Sequence, residues 1–279
     1  MDMRKITLFL FVLAINLQFV YAQTSIKLFP EKLNIQPFTA HLLEPKLGCQ
    51  FDVNSNELRL NIGNSLDLVS FSNSPSNNFS IGADFFTFTL LRSQNDFHFP
   101  VDAVDYLFGV NAGYKQLTES GEYGIRVRLS HISAHLVDGH YDKINQVWKN
   151  GQTPRVYSRE FFEFLPFYSF DNLRVYGGLT YIYHIDPADL GKTIYQAGFD
   201  YFPAAASIGN FHPFVGYDLK LTDISKYRAN NSIMAGIKFG YAKGRGISLY
   251  YNYYNGNNFH GEYFDKPSEY SAFGFNLDL

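Results

Sequence analysis

The sequence predicts an all-β protein, an antiparallel transmembrane β-barrel of about twelve strands with both termini periplasmic. Three observations predict it. Apolar and polar residues alternate with a period of two in segment after segment, which is the signature of strands with two different faces. Aromatics make up 18% of the chain, dominated by 28 Phe and 21 Tyr. That is the supply needed for girdles at two membrane interfaces, whereas a soluble core draws mostly on Leu, Ile and Val. After residue 22 no apolar stretch approaches the roughly 18 residues of a membrane helix.

The elements follow in chain order. Residues 1–22 read as a secretory signal peptide, with Arg4 and Lys5 before an apolar run from Ile6 to Phe19 and small or compact residues at Val20 and Ala22. Export through this signal implies the bacterial outer membrane as destination. Residues 23–50, punctuated by Pro30, Pro37 and Pro45, read as a periplasmic lead-in, and 51–279 as the barrel. Cys49 is the single cysteine, so no intramolecular disulfide forms. A net charge of −3 gives no reason to expect nucleic-acid binding.

Within the barrel the expected strands are 57–63, 65–73, 78–91, 102–116, 122–136, 154–169, 171–185, 193–204, 211–222, 231–242, 245–256 and 268–279. In 231–242, Ile233, Ala235, Ile237 and Phe239 oppose Ser232, Gly236 and Lys238. The last strand carries Phe273, Phe275, Leu277 and Leu279 at every second position, the kind of terminal strand that barrel-assembly machinery recognises during insertion. Connections also alternate. Ala242–Gly246, Ser207–Asn210 and Phe170–Asn172 are short, and Asn255–Pro267, Thr222–Asn230, Asp186–Lys192 and Val137–Pro154 are longer. Short periplasmic turns and longer outer loops produce that pattern.

Strand 122–136 carries the most chemistry. Ile125, Val127 and Leu129 share one face and Arg126, Arg128 and Ser130 the other, so lipid suits the first and the lumen the second. The lipid-facing series then continues as His131, Ser133 and His135. A His beside a Ser can act as general base and generate a nucleophile for acyl transfer, given a third group to orient the imidazole. A register pairing Leu136 with Arg155 sets Glu160 of the next strand opposite His131, and a slip of two residues sets Ser158 or Phe162 there instead. Arg126, Arg128, Arg159, Glu163 and Arg174 have lumen parity and form a charge ladder in a narrow interior, which could also line a small-solute pore.

Two resemblances bear on these residues. The ordered stretches Arg126–Asp138, Ser158–Glu160, Arg174–Pro187, Pro213–Lys220, Tyr250–Gly256 and Gly261–Asp265 resemble a bacterial family catalogued as domain of unknown function 1207. That resemblance implies an exported, outer-membrane protein and no activity. Locally, His131-Ile-Ser133 resembles the His-x-Ser element of the outer-membrane phospholipase A and lipid A 3-O-deacylase families, whose catalytic His and Ser lie on the outer barrel wall.

That second likeness implies His131 as base and Ser133 as nucleophile. Glu160 is the orienting group, or Asn145, which lies where a phospholipase-like spacing would put it. Here Ala134-His135 stands in place of an Asn-Gly. Calcium enters only through the phospholipase-like reading, and no other cofactor is expected.

The same residues also fit other roles. His131, Ser133 and His135 could hydrogen-bond headgroups of outer-membrane lipid or lipopolysaccharide. His135, Asp138, His140 and Asp142 could hold a metal, although their spacing matches no standard loop. From sequence, then, the protein is an integral outer-membrane barrel with three open functions: an envelope barrel without catalysis, a serine lipid-acyl hydrolase, or a narrow pore.

Overall fold

The computed structural model describes residues 25–44, 46–224 and 226–278. The signal peptide expected at 1–22 lies outside the described residues. Strands are β1 (Ser25–Leu28), β2 (Leu47–Asp52), β3 (Glu57–Ser74), β4 (Asn77–Arg92), β5 (Val101–Thr118), β6 (Gly121–Leu136) and the short pair β7 (Tyr141–Asp142) and β8 (Val147–Trp148). There follow β9 (Tyr157–Phe170), β10 (Leu173–Asp186), β11 (Thr193–Tyr201), β12 (Phe211–Asp223), β13 (Tyr227–Gly240), β14 (Gly246–Asn257) and β15 (Pro267–Asp278).

Twelve of these strands close an antiparallel barrel. Neighbours pair in chain order from β3 to β6 and from β9 to β15, and β2 closes the ring by pairing with both β15 and β3. Closure leaves no strand edge for lipid to meet, and that is the condition for a sheet to cross a bilayer. β1 adds to β3 beyond the barrel proper, Ser25 facing Ser72 and Leu28 facing Val69.

The alternation in the sequence is the alternation of the wall. Along β6, Arg126, Arg128, Ser130 and Ile132 are buried inside, while Leu129, His131, Ser133 and His135 face out. Along β15, Phe273, Phe275 and Leu277 face out around buried Ala272 and Asn276. Outward aromatics pair across strands, Phe211 on Phe239 with ring centroids 4.2 Å apart and Tyr251 on Phe273 at 5.5 Å. Such pairs stabilise a sheet on its apolar side.

One end of the barrel carries tight turns at 75–76, 119–120 and 171–172, together with the 202–210 and 241–245 connections. The other end carries the longer loops 93–100, 137–156 and 258–266. β1 and the end of β15 both lie at the turn end, because Ser25 sits near the 75–76 turn and Asp278 pairs with Gly246.

Two expectations are corrected. The strands expected at 57–63 and 65–73 are one continuous strand, β3, because Asn64 and Ser65 pair with Phe85 and Asp84 rather than turning. The count of twelve is restored by β2, whose residues 47–50 belong to the segment expected as a periplasmic lead-in. Residues 33–44 of that segment are not a lead-in outside the barrel. Asn34, Phe38, Ala40, His41 and Glu44 are buried in the lumen, where the inward arginines of β6 supply a counter-charge for Glu44.

Loops and wall close the interior towards the loop end. Leu43 of the inserted segment joins Phe86, Phe88, Leu107, Ile132, Phe161 and Ile182 of the wall in an apolar cluster. Above it the 258–266 loop folds into the mouth. His260 Nδ1 lies 2.5 Å from Asp105 Oδ2, Gly261 N donates to Asp105 Oδ1 at 2.8 Å, and Leu136 N donates to Glu262 Oε1 at 3.1 Å. Gly261 is required at this approach, since a Cβ there would fall 2.3 Å from the Tyr157 ring and 2.7 Å from Ala134. Arg155 ties the loop down from the far side by donating to Glu262 O at 2.8 Å and Asp265 Oδ2 at 3.0 Å. These hydrogen bonds from Arg155 hold the Asp265 carboxyl below its usual range.

Candidate functional site on the outer wall

The pairing of β6 with β9 places His131 opposite Glu160 and Ser133 opposite Ser158. It is the register in which the sequence set Glu160 beside His131. His131 Nδ1 lies 2.6 Å from Glu160 Oε1. On the far side of His131, Phe108 of β5 packs against the ring at 4.9 Å, tilted by 37°. A carboxylate on one side and an aromatic face on the other fix the plane of the imidazole. The His131 and Glu160 side chains are 27% and 25% exposed, so the pair lies in the outer wall without being sealed from what surrounds it.

The second carboxylate oxygen is also occupied. Glu160 Oε2 lies 2.5 Å from His184 Nδ1 of β10. His184 has lumen parity with Arg174, Tyr176, Thr180 and Ile182 by simple alternation, and for that reason sequence reasoning missed it. A β-bulge between Ile182 and His184 shifts the β9–β10 register and turns His184 outward, while Ile182 and Ile185 both remain buried. Bulges re-aim side chains in this way. The sequence signal was the spacing of three between two apolar inward residues, where unbroken alternation allows only two or four.

Ser133 lies two residues beyond His131 on the same face, and Tyr106 of β5 faces it from the other side. The bond that His131 makes is to Glu160, and Ser133 is not drawn into it. Asn145, the alternative third member, is not at the site. It sits in the 137–156 loop, where its N donates to Asp142 Oδ1 at 3.1 Å and its Nδ2 to Asp142 Oδ2 at 2.7 Å. These bonds form a local turn that holds the Asp142 carboxyl below its usual range.

The candidate metal ligands do not converge. His135 is exposed on the wall against Tyr106, whereas His140 is buried, its Nε2 donating to Lys149 O at 2.9 Å and its Nδ1 lying 3.4 Å from Asp102. Asp138 opens a short helical turn and Asp142 caps its own loop. Among the described residues no three His, Cys, Asp or Glu side chains form a metal-binding group.

The luminal charge ladder has more members than the sequence showed. Arg126 Nη1 donates to Glu44 Oε2 at 2.9 Å and Arg126 Nη2 to Glu163 Oε1 at 3.2 Å. Arg128 reaches Asp84 Oδ2 at 3.2 Å, Glu44 Oε2 at 3.3 Å and the carbonyl of Leu43 at 3.1 Å. His41 Nδ1 lies 2.7 Å from Glu44 Oε1, and Lys220 Nζ lies 2.6 Å from His41 Nε2. Burial alone would raise the Glu44 carboxyl, but Arg126 and Arg128 hold it well below its ordinary value. Burial, reinforced by Lys220, lowers His41 and keeps it neutral. Arg174 is separate from this cluster and pairs with Asp200.

Residues 94–278 match the family described as "Protein of unknown function (DUF1207)". The chain belongs to the DUF1207 family. The matched span contains His131, Ser133, Glu160, the bulge and His184, and it excludes the inserted segment with His41 and Glu44. No curated protein matches the DUF1207 chain in sequence. Among solved structures, outer membrane phospholipase A from Escherichia coli aligns with a TM-score of 0.52 and 12% identity, covering 89% of this chain and 95% of that one. The β domain of the Bordetella autotransporter BrkA aligns with a TM-score of 0.42 and 11% identity, over 85% of this chain and 100% of that one. The closed twelve-strand ring and the likeness to the phospholipase A barrel together give the DUF1207 chain an outer-membrane-type β-barrel fold.

Proposed function

We propose that this barrel is an outer-membrane serine hydrolase of lipid acyl esters, with Ser133 as nucleophile, His131 as general base and Glu160 as the group that orients the imidazole. The observation that carries the reading is the 2.6 Å contact between His131 Nδ1 and Glu160 on the wall that faces lipid, with Ser133 on the same face. With Nδ1 held by the carboxylate, Nε2 is the nitrogen left to accept the Ser133 proton. Ser133 Oγ then bonds to the ester carbonyl carbon, the alcohol portion leaves with the proton from His131, and water releases the fatty acid from the acyl-enzyme by the reverse sequence. The similar barrel of outer membrane phospholipase A from Escherichia coli gives this chemistry a precedent on the same fold.

In this reading the turn end and both termini face the periplasm and the loops face outward. His131, nearer the loop end of β6, then meets the outer leaflet, and its substrates are phospholipid or lipopolysaccharide acyl esters. The alternating terminal strand is the element that insertion machinery would recognise. A small-solute pore is less well served, because the inserted segment and the apolar cluster around Leu43 narrow the lumen.

The test is to incubate the purified barrel and its Ser133→Ala variant with phospholipid and with lipopolysaccharide, with and without EDTA, and to weigh the products by mass spectrometry. Fatty-acid release by the wild type alone is expected, and the EDTA arm reads calcium dependence. Equal release by the two proteins would mean that Ser133 is not the nucleophile, and release by neither would leave the cluster as a headgroup-binding feature of a non-catalytic barrel.

A further inference from the structure

At the turn end the lumen opens into a cavity of about 270 Å³ between the inserted segment and the wall. Lys46 lines it, 8% exposed, and its Nζ has no hydrogen-bond partner. The acids around it are engaged elsewhere. Glu44 is held by Arg126 and Arg128, Asp200 by Arg174, and Asp278 accepts from Lys238 at 2.7 Å. What Lys46 faces is the ring of Tyr250, with 5.6 Å from Nζ to the centroid. The Tyr250 hydroxyl, also buried and lining the cavity, has no partner either. Beside it Phe202, Phe214 and Met234 form an apolar wall against Tyr250.

The rim repeats the charge excess. Lys115 and Lys243 share one acid, Glu122, each at 3.9 Å. A buried ammonium without a counter-ion is costly, and burial lowers the Lys46 ammonium to about 8. Water could hydrate it, but water alone would not explain a buried cation and a free hydroxyl placed together against an apolar wall in a cavity close to the size of small-molecule sites.

We propose that this vestibule binds a small organic anion, its carboxylate or phosphate on Lys46 and Tyr250 and its apolar body against Phe202, Phe214 and Met234. The site is on the opposite side of the wall from His131 and near the other end of the barrel, so it stands or falls independently of the hydrolase reading. Phenyl phosphate and benzoate are suitable probes, with benzyl alcohol as the neutral counterpart, titrated calorimetrically into the full-length protein in detergent.

Saturable binding of the two anions is expected, with benzyl alcohol at least tenfold weaker. Lys46→Met, which keeps the aliphatic stem, should lose about tenfold or more in affinity, Lys46→Arg should retain most of it, and Tyr250→Phe should lose a few-fold. Folding of each variant is read from far-ultraviolet circular dichroism and the gel shift on heating. If Lys46→Met does not fold, Tyr250→Phe decides the matter. No saturable binding, equal binding of benzyl alcohol, or unchanged affinity in the folded variants would overturn the proposal.

Discussion

Between Ile182 and His184 the register of β10 against β9 shifts by one residue, and that shift moves His184 from the lumen to the lipid-facing wall beside Glu160. Cysteine placed at these positions should report it. His184→Cys should react with a membrane-soluble maleimide in liposomes, while Ile182→Cys and Ile185→Cys should stay protected. Deleting Tyr183 would remove the extra residue and restore strict alternation, with His184 still outward and Ile185 still inward, so the labelling pattern should persist. Labelling at 185 in preference to 184 in the intact chain would contradict the bulge.

Glu160 touches both histidines, but only His131 shares a strand face with Ser133. In the proposed hydrolase, Glu160→Gln removes the charge that steadies the imidazolium and should cut kcat by about 100-fold or more, since loss of an orienting carboxylate in a triad costs up to roughly 10⁴. His184→Ala removes only a second hydrogen bond to the carboxylate and should cost a few-fold. Both are measured as initial rates of fatty-acid release. Equal losses in the two variants would mean that the cluster acts as one packing unit and that Glu160 has no special relation to His131.

The barrel was legible because two solvents act on one strand. Lipid selects Ile125, Val127 and Leu129 while the lumen tolerates Arg126 and Arg128, and a period of two is the direct record of that selection. The faces of β6 and β9 were legible in the same way, since Arg126, Arg128 and Glu163 share lumen parity. Their register was not, because the 137–154 connection carries no decisive turn signal and slips by two keep the same parity. What was not legible lay where alternation stops carrying information. Residues 33–44 form no strand, so no periodicity marks Glu44 as the partner of two arginines that are far away in sequence. His184 was hidden by a bulge that reverses parity after Ile182. Asn145 was favoured by spacing alone, and its local bonds to Asp142 show that sequence distance does not place a loop side chain on a wall.

Glu44 carries the inserted segment's tie to the wall. Glu44→Ala would leave Arg126 without its two-oxygen partner and Arg128 without one of its acids, both deep in the lumen, and should destabilise the protein by about 3–5 kcal/mol. Urea unfolding in detergent, followed by tryptophan fluorescence from the one Trp, Trp148, measures it. Pairing the change with Arg126→Met should recover part of the loss, because it removes the charge left unpaired. A loss in the double variant equal to the sum of the two single losses would mean that Glu44 and Arg126 contribute independently.

Acid should loosen the same contact, and the sign follows from two lowered values. The Glu44 carboxyl is held below its unfolded value of 4.5, so its contribution is present above that pH and is lost as pH falls through 4.5 towards the folded value. His41 is held neutral below its unfolded value of 6.5, so the unfolded chain takes up a proton first as pH falls through 6.5 and stability drops there too. Unfolding midpoints should therefore decline in two stages between pH 8 and pH 3. Glu44→Gln should flatten the lower stage, and His41→Gln the upper. Midpoints independent of pH below 6.5 would show that neither group is coupled to folding.

The narrowed interior makes a prediction about transport. Phe86, Phe88, Leu107, Ile132 and Phe161 meet Leu43 in one apolar cluster, and the buried ion cluster of Arg126, Arg128, Glu44 and Glu163 lies alongside. An apolar cluster and a salt-bridged cluster side by side narrow the lumen, so the wild-type barrel should give no step conductance in planar bilayers at 1 M KCl. Leu43→Asp would put an unpaired acid into the apolar cluster and should raise the frequency of brief openings, with little change in the Ser133-dependent reaction on the outer wall. Steady ohmic steps from the wild type would mean that the inserted segment leaves the lumen when the protein is in a membrane. A two-cysteine staple between positions 34 and 113, whose side chain and backbone meet at 3.0 Å, would then be expected to abolish those steps under oxidation and restore them on reduction.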